Sequence, residues 1–259
     1  MKVRVVGGGL AGCEASYQLA NRGIEVELYE CKKVKRHEAF KTDLLGELIC
    51  SNSLRSDNIE NAVGLLKNEM RILDSLIMKA ADSTRVEAGS SLAVDRLAFS
   101  KYITETIRNH PNIKVIDEEV KEINYEIPTI IAAGPLCEGD LSKAILKLCD
   151  KDYLYFYDAV SPIVEKSSID FNHAYYKSRW EDDAKGDYIN CPLTKEEFNI
   201  FYKEVINAKT IDVKEMDKEI YFEGCMPFEV MAKRGIKTLL FGPMKPVGLR
   251  YNGTMPYAV

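Results

Sequence analysis

The 259-residue sequence lacks any apolar run approaching the roughly 18 residues of a membrane-spanning helix, so no helical span organises it. It also lacks an internal repeat and a low-complexity tract, which excludes solenoid and tail-like architectures. Its seven cysteines (Cys13, Cys31, Cys50, Cys137, Cys149, Cys191 and Cys225) are an odd set with no C-x-x-C pair and no zinc spacing. Neither a disulfide framework nor a structural zinc site is therefore expected. The first strand begins at once, with no signal peptide before it, so the thiols are expected reduced and the chain cytoplasmic. The three histidines (His37, His110, His173) are scattered, and no metal site is assigned. Charge of either sign is not in large excess: 35 basic against 40 acidic residues leaves −5, which does not advertise nucleic-acid binding but permits a local basic surface. With 46% apolar and 29% charged residues, the composition is that of an ordinary globular protein.

The richest pattern lies between Val5 and Glu30. An apolar strand (Val3, Val5, Val6) runs into Gly7, Gly8, Gly9, Leu10, Ala11 and Gly12, then an amphipathic segment closed by Arg22-Gly23, a second strand Ile24 to Tyr29, and Glu30. Glycines that leave a strand and open a helix, with an acid at a strand end about 20 residues on, read as the start of a dinucleotide-binding βαβ unit. Gly7 permits the tight turn, Gly9 lets backbone approach a pyrophosphate, and Gly12 lets helix and strand pack closely. The helix N-terminus supplies free N–H groups to the phosphates. Glu30 suits the two hydroxyls of a ribose and disfavours an additional 2′-phosphate, so the adenosine belongs to FAD or NAD, which this segment alone does not separate.

Further along, Val63, Leu66, Met70, Leu73, Ile77 and Ala80 recur at three- and four-residue steps and predict one helix with a buried stripe. Asp95 precedes a second helix carrying Phe99, Ile103 and Ile107, which stops at Asn109-His110-Pro111. Short strands are expected at Ile113 to Ile116, Val120 to Asn124 and Thr129 to Ala133, the last running into Gly134. From Leu141 the character changes, with a short helix to Cys149, an aromatic strand Tyr153 to Tyr157, a polar stretch around Trp180, and a capping box of Thr194 with Glu197. Thr238 to Phe241 reads as a buried strand. The expectation is a doubly wound, Rossmann-like α/β domain over 1–140 that resumes at 236–259, interrupted by a smaller α+β insertion over 141–235. Two basic stretches, Lys32 to Lys41 and Lys233 to Arg250, are candidate nucleic-acid surfaces.

Several strings then carry a resemblance over the whole chain: Val6-Gly-Gly-Gly-Leu-Ala-Gly12, Glu47-Leu-Ile-Cys-Ser-Asn-Ser-Leu-Arg55, Asn61-Ala-Val-Gly-Leu-Leu-Lys67, Asp152-Tyr-Leu-Tyr-Phe-Tyr-Asp158, Asn190-Cys-Pro-Leu-Thr194, Glu223-Gly-Cys-Met-Pro227 and Leu240-Phe-Gly-Pro-Met-Lys-Pro-Val-Gly-Leu249. The chain resembles the folate- and FAD-dependent tRNA uracil-5-methyltransferases. That resemblance implies transfer of a one-carbon unit from 5,10-methylenetetrahydrofolate to C5 of a uridine in the T-loop of tRNA, with FAD as mediator and NADH or NADPH as reductant. It also implies that Cys50 and Cys225 are the catalytic thiols, one adding to C6 and another group removing the C5 proton. Local sequence agrees: Cys50 borders a polar, turn-forming run, and Pro227 at a first helical position places Cys225 just before a helix N-terminus. The other five cysteines are expected to be small, buried and inert. Members of that family are longer than this chain. The same chemistry on a uridine of 23S ribosomal RNA, or a shortened non-catalytic remnant binding nucleotide or RNA, stay open as alternatives, and the oligomeric state is not read.

Overall fold

The first strand, β1 (Lys2–Val6), and β2 (Glu25–Tyr29) pair in parallel with Val5 opposite Leu28, joined by helix α1 (Leu10–Asn21). This is the βαβ unit that alternating apolar strands with an intervening amphipathic helix favour. The computed structural model describes residues 1–134, 136–150, 164–179, 186–210 and 226–259. The chain divides into two units: Met1–Val86 with Ser90–Val160, and Glu87–Gly89 with Ser161–Val259.

In the first unit the chain continues through β3 (Ser53–Ser56), α2 (Ala62–Ile72), α3 (Leu76–Ser83), β4 (Arg85–Val86), β5 (Ser91–Val94), α4 (Arg96–Arg108), β6 (Ile113–Ile116), β7 (Thr129–Ile131) and α5 (Asp140–Cys149). Four parallel strands stand in the order β6-β2-β1-β7, and β3-β5-β4 form a separate antiparallel sheet. The α/β, Rossmann-type class expected from the sequence is what is found. Val5, Val26, Leu28, Leu76, Leu92, Phe99, Ile103 and Ile107 close one core, with the i+4 stack of α4 fully buried within it. Asp95 caps α4 by accepting a hydrogen bond from the Ala98 amide at 2.9 Å.

The helix expected from Val63 to Ala80 is two helices. Asp74 adopts a left-handed conformation (φ 62°), and the Ser75 side chain caps α3 through the Met78 amide. Glu14 of α1 fixes that break, accepting from Ser75 Oγ at 2.7 Å and from the Ile77 amide at 3.0 Å. The stripe is correspondingly wrong at its middle: Leu66 and Leu73 are 55% and 68% exposed, while Ile77 and Ala80 are buried. Val120 to Asn124 is not a strand. Residues 117–128 carry the chain from β6 at one edge of the sheet to β7 at the other, a lateral step of roughly 14 Å at the usual strand spacing. A segment running across the sheet has no neighbour to pair with.

The second unit contains a two-stranded hairpin, β8 (Tyr175–Tyr176) with β9 (Ile189–Asn190), then α6 (Lys195–Asn207), α7 (Phe228–Lys233) and α8 (Ile236–Phe241). The Thr194–Glu197 capping box forms as expected, each side chain bonded to the other's backbone amide. Thr238 to Phe241, expected as a strand, is helical. A four-residue apolar run does not by itself separate a buried strand from a buried helical turn, and Gly235 at φ 128° starts the helix. Leu239 then buries against Phe198, Ala232, Met244 and Ala258, so residues 236–259 pack within this unit. The expected aromatic strand Tyr153 to Tyr157, Trp180 and Cys225 lie outside the described residues.

Ile103→Ala is expected to destabilise the chain by about 2–5 kcal/mol through loss of buried volume in the first core. Leu66→Ala, on the helix face the periodicity had assigned to the interior, should stay within about 0.5 kcal/mol. Urea unfolding of the two variants measures both; equal losses would contradict the broken-helix arrangement.

Candidate functional site

The order β6-β2-β1-β7 reverses direction at β1, and the carboxyl end of β1 is therefore the topological switch point at which open α/β sheets take ligands. The three outer glycine positions expected for a dinucleotide turn are distinguished by what surrounds them. Gly7 has φ +107°, and a Cβ there would lie 2.3 Å from the Ala132 carbonyl oxygen. A Cβ on Gly12 would lie 1.8 Å from the Gly7 carbonyl oxygen, which is how closely α1 rides on the turn. A Cβ on Gly9 would meet nothing within 4 Å. Gly7 and Gly12 are thus demanded by the fold, while at Gly9 the open space is left to whatever approaches the backbone. Gly9 is also the N-cap of α1 and offers no side-chain cap, and the first-turn N–H groups of a helix have no intrahelical acceptor. Leu10 packs on the core and Ala11 is exposed, so this end presents backbone rather than bulk. Together these positions leave a donor-rich helix end with open space beside Gly9, suited to a pyrophosphate.

Gly8 is the centre of the turn. Its amide donates to Glu30 Oε2 at 2.8 Å, and its carbonyl accepts from the Gly46 amide at 2.8 Å and from Cys13 Sγ at 3.3 Å. Glu30, 9% exposed at the end of β2, accepts from the Lys32 amide with its other oxygen at 2.9 Å. Its carboxylate is oriented before any ribose arrives. Beyond the ribose role expected from the sequence, Glu30 braces the turn through two main-chain amides, which no side-chain pattern marks in advance.

Lys32 is a second departure. Expected on a basic surface stretch, it is 4% exposed, with Nζ donating to the Leu44 carbonyl, 3.2 Å from Glu47 Oε2 and 4.8 Å from the centre of the Phe40 ring. Glu47 Oε1 accepts in turn from the Lys41 and Thr42 amides. Lys33 and Lys35 pair with Asp117 and Glu119, and Arg36 pairs with Asp43. The stretch Lys32 to Lys41 therefore spends most of its charge on internal partners. The cations of the second stretch, Lys233, Arg234, Lys237, Lys245 and Arg250, are all exposed.

The buried Lys32–Glu47 pair and the Gly46–Gly8 bond hold the loop that leads to Cys50. Cys50 itself is exposed, not sealed in the core, and lies four residues beyond the Gly46 amide on the nucleotide turn. Cys13 is buried on α1, and burial pushes its thiol up to about 12. Burial likewise raises the thiols of Cys31 and Cys137, which are half-buried. Cys149 and Cys191, expected to be buried, are exposed. Pro227, expected at the first helical position, is the N-cap of the six-residue α7. Among the described residues there is no cluster of metal-ligating side chains and no helix long and apolar enough to cross a membrane.

A family model described as glucose inhibited division protein A matches residues 2–258. The chain belongs to this family. Among curated proteins it is 56% identical over 259 residues to the methylenetetrahydrofolate–tRNA-(uracil-5-)-methyltransferase TrmFO of Bacillus mycoides, covering 99% of this chain and 59% of that protein. It is 58% identical over 261 residues to the protein of the same name from Anoxybacillus flavithermus, covering 100% and 60%. This member of the glucose inhibited division protein A family thus spans about three fifths of the length of those relatives. A solved structure of Aquifex aeolicus GidA aligns with 48% of this chain and 20% of its own at 22% identity and a TM-score of 0.39.

Two measurements follow from the turn and the thiols. Gly9→Ala should leave the melting temperature unchanged while abolishing dinucleotide binding, whereas Gly12→Ala should lose the folded first unit; thermal unfolding beside nucleotide titration separates them, and loss of fold in Gly9→Ala would contradict the assignment. Titration with a thiol reagent near pH 7 should modify the exposed Cys50, Cys149 and Cys191 first and leave Cys13 unmodified until denaturant is added, because a thiol raised to about 12 holds no thiolate there.

Proposed function

We propose that this chain carries the nucleotide-binding half and the catalytic thiols of an FAD-dependent enzyme that transfers a one-carbon unit from 5,10-methylenetetrahydrofolate to C5 of a uridine in the T-loop of tRNA. The observation that carries the reading is the glycine turn, with space reserved at Gly9, a pre-oriented Glu30 and the Cys50 loop bonded to Gly8. The names of the relatives at 56–58% identity supply the substrate. The residues present fit FAD: the α1 N-terminus with Gly7, Gly8, Gly9, Leu10, Ala11 and Gly12 would hold the pyrophosphate, and Glu30 the ribose. When bound, FAD supplies the one-carbon relay and the electrons that NADH or NADPH provides.

The protein's own part is activation of the base. C5 of uracil is a weak nucleophile, and addition of a thiolate at C6 turns the ring into an enolate whose C5 attacks the one-carbon unit. A second group then takes the C5 proton, and departure of the thiolate from C6 restores the ring. Cys50 and Cys225 fill these two roles, in an order left open. The overall balance is uridine plus methylenetetrahydrofolate plus a reduced nicotinamide and a proton, yielding 5-methyluridine, tetrahydrofolate and the oxidised nicotinamide. The reaction's cofactors are those of a cytoplasmic setting. As the domain assignment that goes with this reading, the first part of the chain is the flavin domain and the middle part an insertion contributing Cys225.

The test is a purified protein with flavin absorbance, supplied with methylenetetrahydrofolate, NADH or NADPH, and tRNA or a 23S ribosomal RNA fragment, with product read as 5-methyluridine by mass spectrometry. Methylated tRNA with wild type and a drop of about 10²-fold or more in Cys50→Ala and Cys225→Ala are expected. Product on the ribosomal fragment alone would transfer the assignment to that substrate, and a colourless protein inactive on both RNAs would favour the non-catalytic alternative.

A further inference from the structure

Strand β3 carries a residue in a conformation its type disfavours. Ser53 pairs with Ala93 and Ser56 with Ser91, so Leu54 and Arg55 together oppose Leu92 alone, a β-bulge. Within it Arg55 has φ +67°, the left-handed region that a bulge ordinarily gives to glycine. Backbone held in such a region by a side chain that does not suit it persists where the surroundings over-determine it, and such positions gather at functional sites. The surroundings here do so: the Arg55 amide donates to Ser53 Oγ at 3.2 Å, the Ser53 amide to Ser51 Oγ at 3.0 Å, and Asn52 Nδ2 to the Val94 carbonyl at 3.1 Å.

The side chain is not part of that internal bracing. Neighbouring cations are engaged: Lys67 Nζ donates to the Ser56 and Val63 carbonyls at 2.9 and 3.2 Å, Arg71 pairs with Asp57 and Asp82, and Arg85 with Asp57. Arg55 is exposed, and its guanidinium makes no hydrogen bond or ion pair among the described residues. It follows Cys50 by five residues, a separation of at most about 17 Å along an extended chain. A nucleotide strand whose base reaches Cys50 has backbone phosphates within such a span, and the planar fork of a guanidinium matches a phosphate's oxygens.

We propose that Arg55 is an anion-binding residue of the Cys50 loop, held on the bulge to grip a backbone phosphate of the RNA whose uridine is presented to the thiol. The proposal rests on the functional reading above, since it takes RNA as substrate. The shared chemistry, an oxyanion, also occurs in the carboxylates of the folate donor, and the test separates the two.

Arg55→Gly removes the side chain and suits the backbone, and Arg55→Lys keeps the charge without the fork. With the flavin-loaded protein, four quantities are measured: melting temperature, flavin content, affinity for a T-loop hairpin RNA across salt concentrations, and KM for methylenetetrahydrofolate. Arg55→Gly should melt at the same or a higher temperature, keep its flavin, and bind the hairpin about tenfold more weakly. Its salt slope should fall by about one, and Arg55→Lys should recover part of the affinity. A lower melting temperature, a wild-type affinity and slope in Arg55→Gly, or a rise confined to the folate KM would each overturn the proposal. A wild-type protein that binds no hairpin would sink the functional reading and this proposal together; wild-type binding with an indifferent Arg55→Gly would sink this proposal alone.

Discussion

The backbone of Gly8 is where three parts of the first unit meet. Its amide is held by the carboxylate that ends β2, and its carbonyl receives the amide of Gly46 and the thiol of Cys13 from α1. These bonds are short-range and buried, where polar groups left without partners cost most. The turn therefore has its shape before a ligand binds. A pre-shaped turn leaves less conformational freedom to be lost on binding, which is the general route to affinity for a flexible, charged dinucleotide.

The same contacts tie the nucleotide turn to the loop that bears Cys50. Gly46 lies on Gly8, Leu45 donates from its amide to Thr104 Oγ1 at 2.8 Å, and Lys32 and Glu47 meet beneath the loop with little solvent. A buried ion pair of this kind adds little net stability over an apolar pair of like volume, but removing one partner leaves an uncompensated charge. Its contribution is one of geometry: with the Gly46–Gly8 bond, it fastens the segment between β2 and β3 to the glycine turn at the carboxyl end of β1.

Much of this was legible in the sequence, and the parts that were not share a cause. The βαβ unit, the α4 stack of Phe99, Ile103 and Ile107 and the Thr194–Glu197 box are local patterns whose periodicity or spacing is sufficient to define them. The helix from Val63 to Ala80 failed at Asp74 because what breaks it is Glu14, sixty residues earlier, bonding to Ser75 and Ile77. Thr238 to Phe241 failed because an apolar tetrapeptide is equally a strand or a buried turn of helix until its neighbours are known. Lys32 read as one more surface cation because burial is a property of the folded loop and not of a basic run. The tight turn at Gly7 and the close packing at Gly12 are as the motif predicts, and the room beside Gly9 is visible only in the surrounding atoms.

Glu30 serves two masters, since each of its oxygens already accepts a main-chain amide, one from Gly8 and one from Lys32. Exchanging it for a residue without a carboxylate would remove both acceptors at once and unfasten the strand-to-helix corner. Position 30 and the shape of the turn are therefore coupled, and a change at the acid is also a change at the corner.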